Sequence, residues 1–335
     1  MQEYAFRVHK IPVGVLGASG YAGRELCAIV NSHPGLELAF ASAGSQAGQT
    51  ARLGDRDVTF VASDDAPLDR AELVFSALPH GASALWVARA HSAGARVVDL
   101  STDLRPGNDV SPAALGGRVP YGLPEALRAG LDGASVVANP GCYPTAILLA
   151  LQPLAVSGRV LAGATINIAA ASGVTGAGYS AKPELLFGEV TENYRPYGVG
   201  NEHRHLNEMR AMMDDWKVDA DLIFTPHLLP VARGILATIT VPLAEPLAEG
   251  VDPAGLWREF YAGEPFVEIT DALPELRDVV RRNVVRIAVR RAAHLRTPTL
   301  IVIAAIDNLV KGAAGQAVQN ANILLGLPEP TGLAL

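Results

Sequence analysis

The chain has 335 residues, of which 49% are hydrophobic and 18% are charged, and its formal net charge is -7 at pH 7. The composition is that of a globular protein, and the length predicts two domains, because a single hydrophobic core stops growing below this size. The acidic balance argues against nucleic acid and anionic membranes as main partners, and no apolar stretch reaches the roughly 20 residues of a membrane span.

The N-terminus and the cysteines bear on the compartment. The sequence opens with MQEYAFRVHK and shows no apolar segment followed by a signal cleavage pattern. Two cysteines without a paired spacing indicate reduced thiols, so we expect a cytoplasmic protein. Neither CxxC nor HExxH occurs, and we expect no metal site.

The first half of the chain alternates short apolar runs with helical patterns. A helix is predicted from about Tyr21 to Val30, and the runs lie at 13–17, 36–42, 73–79, 95–101 and 135–141. They lack period-2 alternation, as expected of strands that are covered on both faces. Strands alternating with helices predict a doubly wound, Rossmann-type parallel sheet.

A glycine-rich loop joins the first strand to the first helix. Gly17, Gly20 and Gly23 form GxxGxxG, one residue longer in its first interval than GxGxxG. At a first βα turn, such glycines let backbone N–H groups approach a pyrophosphate at a helix N-terminus. The alternative is a closely packed turn without a ligand, and the position in the chain favours a dinucleotide site.

The loop after the second predicted strand bears on the choice of cofactor. An acidic residue there would bind the ribose 2′-OH of NAD, but this segment ends without one. Ser42, Ser45 and Gln46 offer neutral groups instead, which favours NADP(H). No lysine or arginine lies in this loop to neutralise a 2′-phosphate.

Cys142 lies in NPGCYPT, at the predicted start of a helix. Pro144 would take the first helical position, and Pro140-Gly141 would form a sharp turn before the cysteine. A helix N-terminus favours thiolate over thiol, so we expect a lowered pKa and a nucleophile. Cys27 lies inside the first helix and is predicted to be a small buried side chain.

The second half changes character. Longer strand-like runs with few intervening helices predict an α+β domain with a mixed or largely antiparallel sheet; they lie at 164–173, 221–230, 234–243, 284–290 and 299–308. Helices are predicted from about His205 to Asp215 and from about Gly312 to Leu325.

A cluster of polar residues precedes the first of these helices. His203, Arg204, His205 and Glu208 lie in NEHRHLNE, where the carboxylate would orient the His205 imidazole and Arg204 would hold an anion. The alternative is an ordinary solvated helix start. Other histidines are predicted to be structural: His33, His80, His91 and His294.

Taken together, the motifs resemble the N-acetyl-gamma-glutamyl-phosphate reductases, the arginine-pathway relatives of aspartate-semialdehyde dehydrogenase. The resemblance runs nearly end to end, through GASGYAGREL at 17–26, ALPHG at 77–81, VDLSTDLR at 98–105, YGLPE at 121–125, NPGCYPT at 139–145, ASGVTGAG at 171–178, HRHLNE at 203–208, TPHLLPVARGI at 225–235 and AIDNLVKGAAGQA at 305–317. It implies an NADP-binding domain from residues 1–142 and 311–335, and a catalytic and dimerisation domain from residues 143–310. It also implies a homo-oligomer, a dimer or a tetramer.

The resemblance implies that Cys142 attacks an acyl phosphate and that NADPH reduces the resulting thioester to a semialdehyde. The acid/base role falls to the pair His203 and His205, with Glu208 beside them, and the choice within the pair stays open. Cofactor contacts are expected at Gly17, Ala18, Ser19, Gly20, Tyr21, Gly23, Ser42, Ser45, Pro79, Gly173 and Asn308. Arg105 is the first candidate for gripping the substrate, and Tyr121, Ser172, Lys182 and Arg204 follow.

The sequence departs from the family pattern at two places, and two alternative functions remain open. The family often has an arginine where this chain has SAGSQAG at 42–48, and a basic pair where it has YSAK at 179–182. One alternative is the lysine-pathway reductase of an aminoadipyl phosphate, on a carrier protein or free, since one methylene is worth only about 1–3 kcal/mol in recognition. The other is a non-catalytic, NADP-sensing regulator, which would not need Cys142 and HRHLNE.

Overall fold

The computed structural model describes residues 10–108, 115 and 117–335 of the chain. The strands are β1 (Ile11–Leu16), β2 (Leu36–Ala43), β3 (Thr50–Leu53), β4 (Arg56–Thr59), β5 (Val61–Ala62), β6 (Leu73–Ser76), β7 (Arg96–Asp99), β8 (Val136–Ala138), β9 (Ala164–Gly173), β10 (Arg195–Pro196), β11 (Ala220–Leu229), β12 (Ile235–Pro242), β13 (Val267–Ile269), β14 (Val285–Arg291) and β15 (Thr299–Ile306). The helices are α1 (Tyr21–Ser32), α2 (Ser83–Ser92), α3 (Pro124–Leu127), α4 (Cys142–Val156), α5 (Phe187–Val190), α6 (His205–Asp215), α7 (Gly255–Phe260) and α8 (Gly315–Leu324).

The first sheet has six strands in the order β5-β2-β1-β6-β7-β8, and all neighbouring pairs are parallel. Its strands are short and almost wholly buried, because helices and loops cover both faces. The carboxyl end of β1 therefore leads straight into the glycine loop and α1. The antiparallel β3–β4 hairpin beside this sheet was not predicted from the sequence.

The second sheet has seven strands in the order β10-β11-β9-β12-β15-β14-β13. Parallel pairing joins β9 to β11 and β13 to β14, while the other neighbours are antiparallel. One face carries the alternate apolar residues of the strands and packs against α4, α6 and α7. The predicted fold class, a Rossmann-type α/β domain with an α+β domain built on a mixed, largely antiparallel sheet, is confirmed.

Helix α4 is the central helix of the second core. Every residue from Tyr143 to Ala155 is buried, as expected of a helix that is apolar all round. Its N-terminus points to the junction with the first sheet, because β8 ends at Ala138 and leads directly into Cys142. The cysteine therefore lies between the two sheets.

The chain returns to the first sheet at its C-terminal end. After β15, one π-helical turn at Val310–Ala314 precedes α8, so the regular helix begins later than Gly312. Ala317, Val318 and Ala321 share a core with Val13 and Leu26 of the first sheet and its first helix. Within the described residues, no helix is long and apolar enough to cross a membrane.

Candidate active site

Cys142 is the first residue of α4, and Gly141 is its N-cap. The backbone N–H and the Oγ1 hydroxyl of Thr145 both donate to the Gly141 carbonyl at 2.9 Å, which fixes the first turn. The predicted start at Pro144 is wrong by two residues. Pro144 is tolerated at the third position because an N–H in the first turn has no intrahelical partner to lose. Cys142 is partly exposed, whereas Cys27 is fully buried, as predicted.

Glu208 lies buried behind the cysteine turn. Its Oε2 accepts hydrogen bonds from the Gly141 N–H at 3.1 Å and the Tyr121 hydroxyl at 2.8 Å. Its Oε1 pairs with Nη1 of Arg105 at 3.1 Å, and the two side chains are 1% and 4% exposed. Tyr121, predicted to touch substrate, is thus engaged with Glu208 in the layer beneath the cysteine.

Arg105 belongs to the part of the chain that forms the first sheet, and it supports the same turn by hydrogen bonds. Its Nε donates to the carbonyl of Asn139 at 2.8 Å and its Nη2 to the carbonyl of Leu100 at 2.6 Å. Together with the Glu208 pair, these bonds fix the guanidinium behind the segment that leads to Cys142. Arg105 was the first candidate for gripping substrate, and that role stays a prediction; the three bonds to Asn139, Glu208 and Leu100 give it a role in supporting the turn as well.

Gly141 is the point at which these side chains converge. A Cβ on Gly141 would lie 2.7 Å from Glu208 Oε1, 2.7 Å from His205 Nε2 and 2.8 Å from Arg105 Nη1. Real Cβ atoms do not approach other atoms so closely, so any larger residue at this position would have to displace these three side-chain ends. His205 therefore lies beside the residue that precedes the cysteine.

The two histidines of HRHLNE form an aromatic pair, with ring centroids 4.7 Å apart. Nδ1 of His203 accepts the backbone N–H of His205 at 3.2 Å. Nδ1 of His205 is buried and has no hydrogen-bond partner within the described residues. The predicted contact between Glu208 and His205 is not formed, because both carboxylate oxygens are taken by Arg105, Tyr121 and Gly141.

Both imidazoles are held in the neutral form. Burial lowers the pKa of His203 to about 4, with a further lowering from Arg204. Burial also lowers the pKa of His205 well below its usual value, assisted by Arg105, His203 and Arg204. At neutral pH each ring is therefore able to accept a proton.

The thiol of Cys142 is less acidic than the sequence predicts. Burial raises the pKa of Cys142 above its usual value, while Arg105, the Tyr143 N–H and Arg204 lower it without outweighing burial. The prediction of a resting thiolate at the helix terminus is wrong in direction, because the terminus lies in a desolvated cluster. The cysteine consequently needs a base, and the neutral imidazoles are the candidates.

Gly312 and Asn308 bring the C-terminal motif to the site. A Cβ on Gly312 would lie 2.8 Å from the Cβ of Cys142, so the π-helical turn touches the cysteine directly. Asn308 accepts the Gly234 N–H at 2.7 Å and donates to Thr175 Oγ1 at 2.9 Å. These bonds tie the end of β15 to the turn after β9 and to the residue before β12, and the predicted cofactor contact of Asn308 stays a prediction.

The remaining predicted substrate residues lie at different depths. Ser172 is buried at the end of β9, with its hydroxyl donating to the Gly173 carbonyl at 3.1 Å. Arg204 is exposed and acts electrostatically on Cys142, so it is an accessible cation near the thiol. Lys182 is exposed just before the short helical turn at Pro183–Leu185, with no recorded contact to the cluster around the cysteine.

Sequence reasoning missed two groups at this site. The hydroxyl of Tyr197 donates to the hydroxyl of Tyr143 at 3.1 Å, and its ring lies 5.6 Å from that of His203. Burial raises the pKa of Tyr197 to about 12, the Tyr143 hydroxyl lowers it, and Cys142 raises it again. Burial lowers the pKa of His80, which was predicted to be structural, to about 4, and the charges of Arg204 and Arg105 lower it further. ALPHG and YRPYG contained these residues but gave no spacing signal for them.

The glycine loop has the shape that a dinucleotide requires. Gly17 adopts a left-handed φ of 76°, and a Cβ there would lie 2.5 Å from the Ala77 carbonyl oxygen. A Cβ on Gly23 would lie 2.3 Å from the Gly17 carbonyl oxygen, so α1 packs tightly on the loop. Gly20, the N-cap of α1, meets only one atom at 3.6 Å and has no side-chain cap, which leaves the helix N-terminus open to an anion.

The other predicted cofactor residues surround this loop. Ala18 is buried and its N–H donates to the Ser42 carbonyl at 2.7 Å, whereas the Ser42 hydroxyl is buried against Ser63 at 3.3 Å. Exposed positions are Tyr21, Ser45 and Pro79, while Ser19 is half-buried. Gly173 is fixed by packing, since a Cβ there would lie 2.8 Å from the backbone at Ala232. The described residues contain no group of three or more side chains suited to a metal ion.

Two family models match the chain. The semialdehyde dehydrogenase NAD binding domain matches residues 12–134, and the semialdehyde dehydrogenase dimerisation domain matches residues 142–308. Curated relatives named N-acetyl-gamma-glutamyl-phosphate reductase include that of Thermus thermophilus, 44% identical over 96% of this chain and 98% of the relative. Those of Geobacter sulfurreducens and Salinispora arenicola are 42% and 44% identical over 96% and 97% of this chain, and 98% of each relative.

Solved structures share the fold. Aspartate semialdehyde dehydrogenase II of Vibrio cholerae, complexed with ASA, superposes with a TM-score of 0.74 at 20% identity, over 95% of this chain and 99% of that one. The aspartate semialdehyde dehydrogenase of Candida albicans, with NADP, gives a TM-score of 0.66 at 17% identity, over 94% of this chain and 98% of that one.

Proposed function

Because the chain belongs to the semialdehyde dehydrogenase family, and within it to the N-acetyl-gamma-glutamyl-phosphate reductases, we propose that it reduces N-acetyl-gamma-glutamyl phosphate to N-acetyl-glutamate 5-semialdehyde with NADPH, in arginine biosynthesis. The observation that carries the mechanism is the position of the partly exposed Cys142 at a helix N-terminus, directly after Gly141, where a Cβ would lie 2.7 Å from Nε2 of His205.

The first step is acyl transfer to sulfur. Cys142 attacks the carbonyl carbon while an imidazole of the His203–His205 pair takes the thiol proton. The carbon–oxygen bond to phosphate breaks, and the imidazolium returns its proton to the departing phosphate. Since the pKa of both histidines is lowered, the charged ring gives the proton up readily. A thioester remains on Cys142.

The second step reduces the thioester. NADPH, when bound, supplies the hydride to the thioester carbon. The carbon–sulfur bond then breaks, the aldehyde leaves, and the departing thiolate takes up a proton from solvent, which the neutral histidine pair relays. The N–H groups of the first turn of α4 support the anionic sulfur as it departs. Arg105 and Glu208 act as positioning residues in both steps, because they hold the Gly141 turn.

The substrate anion requires accessible cations. Arg204 is the first choice in this proposal, because it is exposed and lies close enough to Cys142 to affect its titration. Lys182 and Ser172 stay as further candidates. The glycine loop, with Gly17, Ala18, Ser19, Gly20, Tyr21 and Gly23, is proposed to bind the NADP pyrophosphate, with Ser42, Ser45, Pro79, Gly173 and Asn308 around it.

We propose the same division of the chain as the sequence implied, residues 1–142 with 311–335 and residues 143–310, and a homo-oligomer in the cytoplasm. The second sheet supports self-association, since part of its face away from α4, on β9, β11 and β12, is exposed. Thr225, Ala169, Thr238 and Ile303 form one row across that face on neighbouring strands. They are small or β-branched and partly or fully exposed, which suits packing against a second copy.

Steady-state rates test the proposal. The protein is assayed with NADPH and either N-acetyl-gamma-glutamyl phosphate or the aminoadipyl analogue, and the Cys142→Ser variant is compared with Cys27→Ala. We expect a preference for the glutamyl substrate, activity in Cys27→Ala and none measurable in Cys142→Ser. A preference for the longer substrate would identify the lysine-pathway reaction, and the absence of turnover with NADPH binding intact would identify a sensor.

A further inference from the structure

The proposed cofactor carries a phosphate that the loop after β2 has no means to neutralise. In a Rossmann-type fold the adenosine ribose lies at the carboxyl end of the second strand. Residues 42–48 there read SAGSQAG and contain neither arginine nor lysine. A 2′-phosphate needs a cation, and a bidentate guanidinium suits it best. That cation therefore has to come from another element.

Arg24 of α1 reaches this loop. Its Nε donates to the carbonyl of Ser19 in the glycine loop at 2.9 Å, and its Nη2 donates to Oε1 of Gln46 at 3.0 Å. The side chain therefore spans the gap between the loop proposed for the pyrophosphate and the loop at the end of β2. An adenosine ribose bound to this domain would lie between these two loops.

No carboxylate among the described residues neutralises the charge of the Arg24 guanidinium. Within the described residues, Arg24 forms no ion pair with a carboxylate and no acceptor is recorded for Nη1. It is half-buried, and its carbon lies 5.3 Å from the ring centroid of Tyr179 and 6.0 Å from that of Phe60. The aromatic rings restrict its orientation without neutralising it.

Tyr179 extends the same surface from the second domain. Its ring packs edge-on against Tyr21 at 5.2 Å, and half of the residue is exposed. The Arg24 side chain therefore lies between the residues that flank the β3–β4 hairpin and the segment after β9. A guanidinium held by a neutral amide and two aromatic rings is preorganised for an anion, because little side-chain entropy is left to lose.

We propose that Arg24 recognises the 2′-phosphate of NADP(H), and that Gln46 holds its guanidinium in place until the phosphate takes over as acceptor. This inference rests on the proposed function, which supplies the cofactor. It makes α1, and not the loop after β2, the element that distinguishes NADP from NAD in this chain.

Nucleotide binding tests the inference without any turnover. The Kd values of NADPH, NADH, 2′,5′-ADP and 5′-AMP are measured by calorimetry for the native protein, Arg24→Gln, Arg24→Lys and the control Arg70→Gln. Arg70 is an exposed arginine of the same domain with no recorded ion pair. Since a hydrogen bond to a charged group is worth about 1.5–3 kcal/mol, Arg24→Gln should weaken NADPH and 2′,5′-ADP about tenfold to a hundredfold.

The specificity ratio separates the outcomes. NADH and 5′-AMP should bind Arg24→Gln as they bind the native protein, Arg24→Lys should keep part of the preference, and Arg70→Gln should keep all of it. An unchanged NADPH preference in Arg24→Gln, or an equal loss for all four ligands, overturns the role of Arg24 and leaves the proposed function standing. Tighter binding of NADH than NADPH by the native protein overturns the proposed cofactor, and the inference with it.

Discussion

Glu208 offers the sharpest structural prediction, because one carboxylate holds three groups around the cysteine turn. In Glu208→Ala, Arg105 keeps its charge in a buried position with no ionic partner. The Tyr121 hydroxyl and the Gly141 N–H lose their acceptor in the same step. The turn that carries Cys142 then has no support from α6.

The expected loss in the free energy of unfolding follows from these contacts. Removing one partner of a buried ion pair costs about 3–5 kcal/mol. Each buried donor left unsatisfied adds about 1–3 kcal/mol, and these terms do not sum independently in one network. We therefore expect the free energy of unfolding to fall by at least about 3–5 kcal/mol in Glu208→Ala. Glu208→Gln keeps one carbonyl acceptor but turns an NH2 group towards a donor, so its loss should be about 1–3 kcal/mol.

Activity should fall along with stability. A misplacement of about 1 Å at a reacting group costs about 100-fold in rate, so kcat should drop by about this factor while KM changes little. The assay combines urea unfolding at fixed protein concentration with steady-state kinetics in native protein and variants. Arg210→Gln is the matched control, because Arg210 is an exposed residue of the same helix that forms no side-chain hydrogen bond or ion pair with the part of the chain that the structure describes. Native stability and native kcat in Glu208→Ala would refute the role assigned to the carboxylate.

Three further predictions follow from the same structure. Gly312→Ala should lower kcat/KM about fivefold to a hundredfold, because overpacking against Cys142 that costs about 1–3 kcal/mol would displace the reacting thiol. Gly188→Ala, where a Cβ meets no atom within 4 Å, should be neutral, and equal rates for the two variants contradict the prediction. The free energy of unfolding should fall as the pH falls from 6.5 towards about 4. His203 binds its proton near pH 4 in the folded protein and near pH 6.5 in the unfolded chain, so the unfolded chain binds more protons in this window. Denaturant titrations at several pH values measure the slope, which His203→Gln should reduce, and a slope of zero in the native protein contradicts the lowered pKa. Lys311→Met, which leaves Glu125 buried without its 2.6 Å partner, should lose about 3–5 kcal/mol of stability, and adding Glu125→Met should recover most of it; a double variant as unstable as the single one would show that the pair is not the cause.

Local sequence patterns were enough for the fold. The apolar runs of the first half lie on strands of the parallel sheet, and the run at 164–173 coincides with β9. The helix predicted from about His205 to Asp215 has the same limits as α6. These patterns work because strands covered on both faces are short apolar runs, whereas helices and half-covered strands show a local period of apolar residues.

The buried side chains behind Cys142 could not be predicted from local sequence patterns. Arg105, Tyr121 and Glu208 are separated by long stretches of chain and meet only when both sheets are packed. Their partners determine whether a donor is free for substrate, which spacing does not reveal. The pKa of Cys142 has the same origin, because burial by distant residues outweighs the local helix terminus.

The position of Arg24 shows the same limit for the cofactor. The sequence suggested a loop without a cation, since the residues that follow β2 include neither lysine nor arginine. The structure brings Arg24 to Gln46 across 22 positions in the chain. A neighbouring element thus changes the electrostatics of a loop that looks neutral by itself.

The central claim, that Cys142 carries the acyl group, is tested most directly by intact-protein mass spectrometry. The protein is mixed with N-acetyl-gamma-glutamyl phosphate in the absence of NADPH, quenched in acid, and compared with Cys142→Ser and Cys27→Ala. We predict an acyl adduct in the native protein and in Cys27→Ala that maps to the peptide of Cys142, is released by hydroxylamine, and is missing in Cys142→Ser. An adduct on another residue, or no adduct in a native protein that turns over when NADPH is added, would contradict the thioester mechanism.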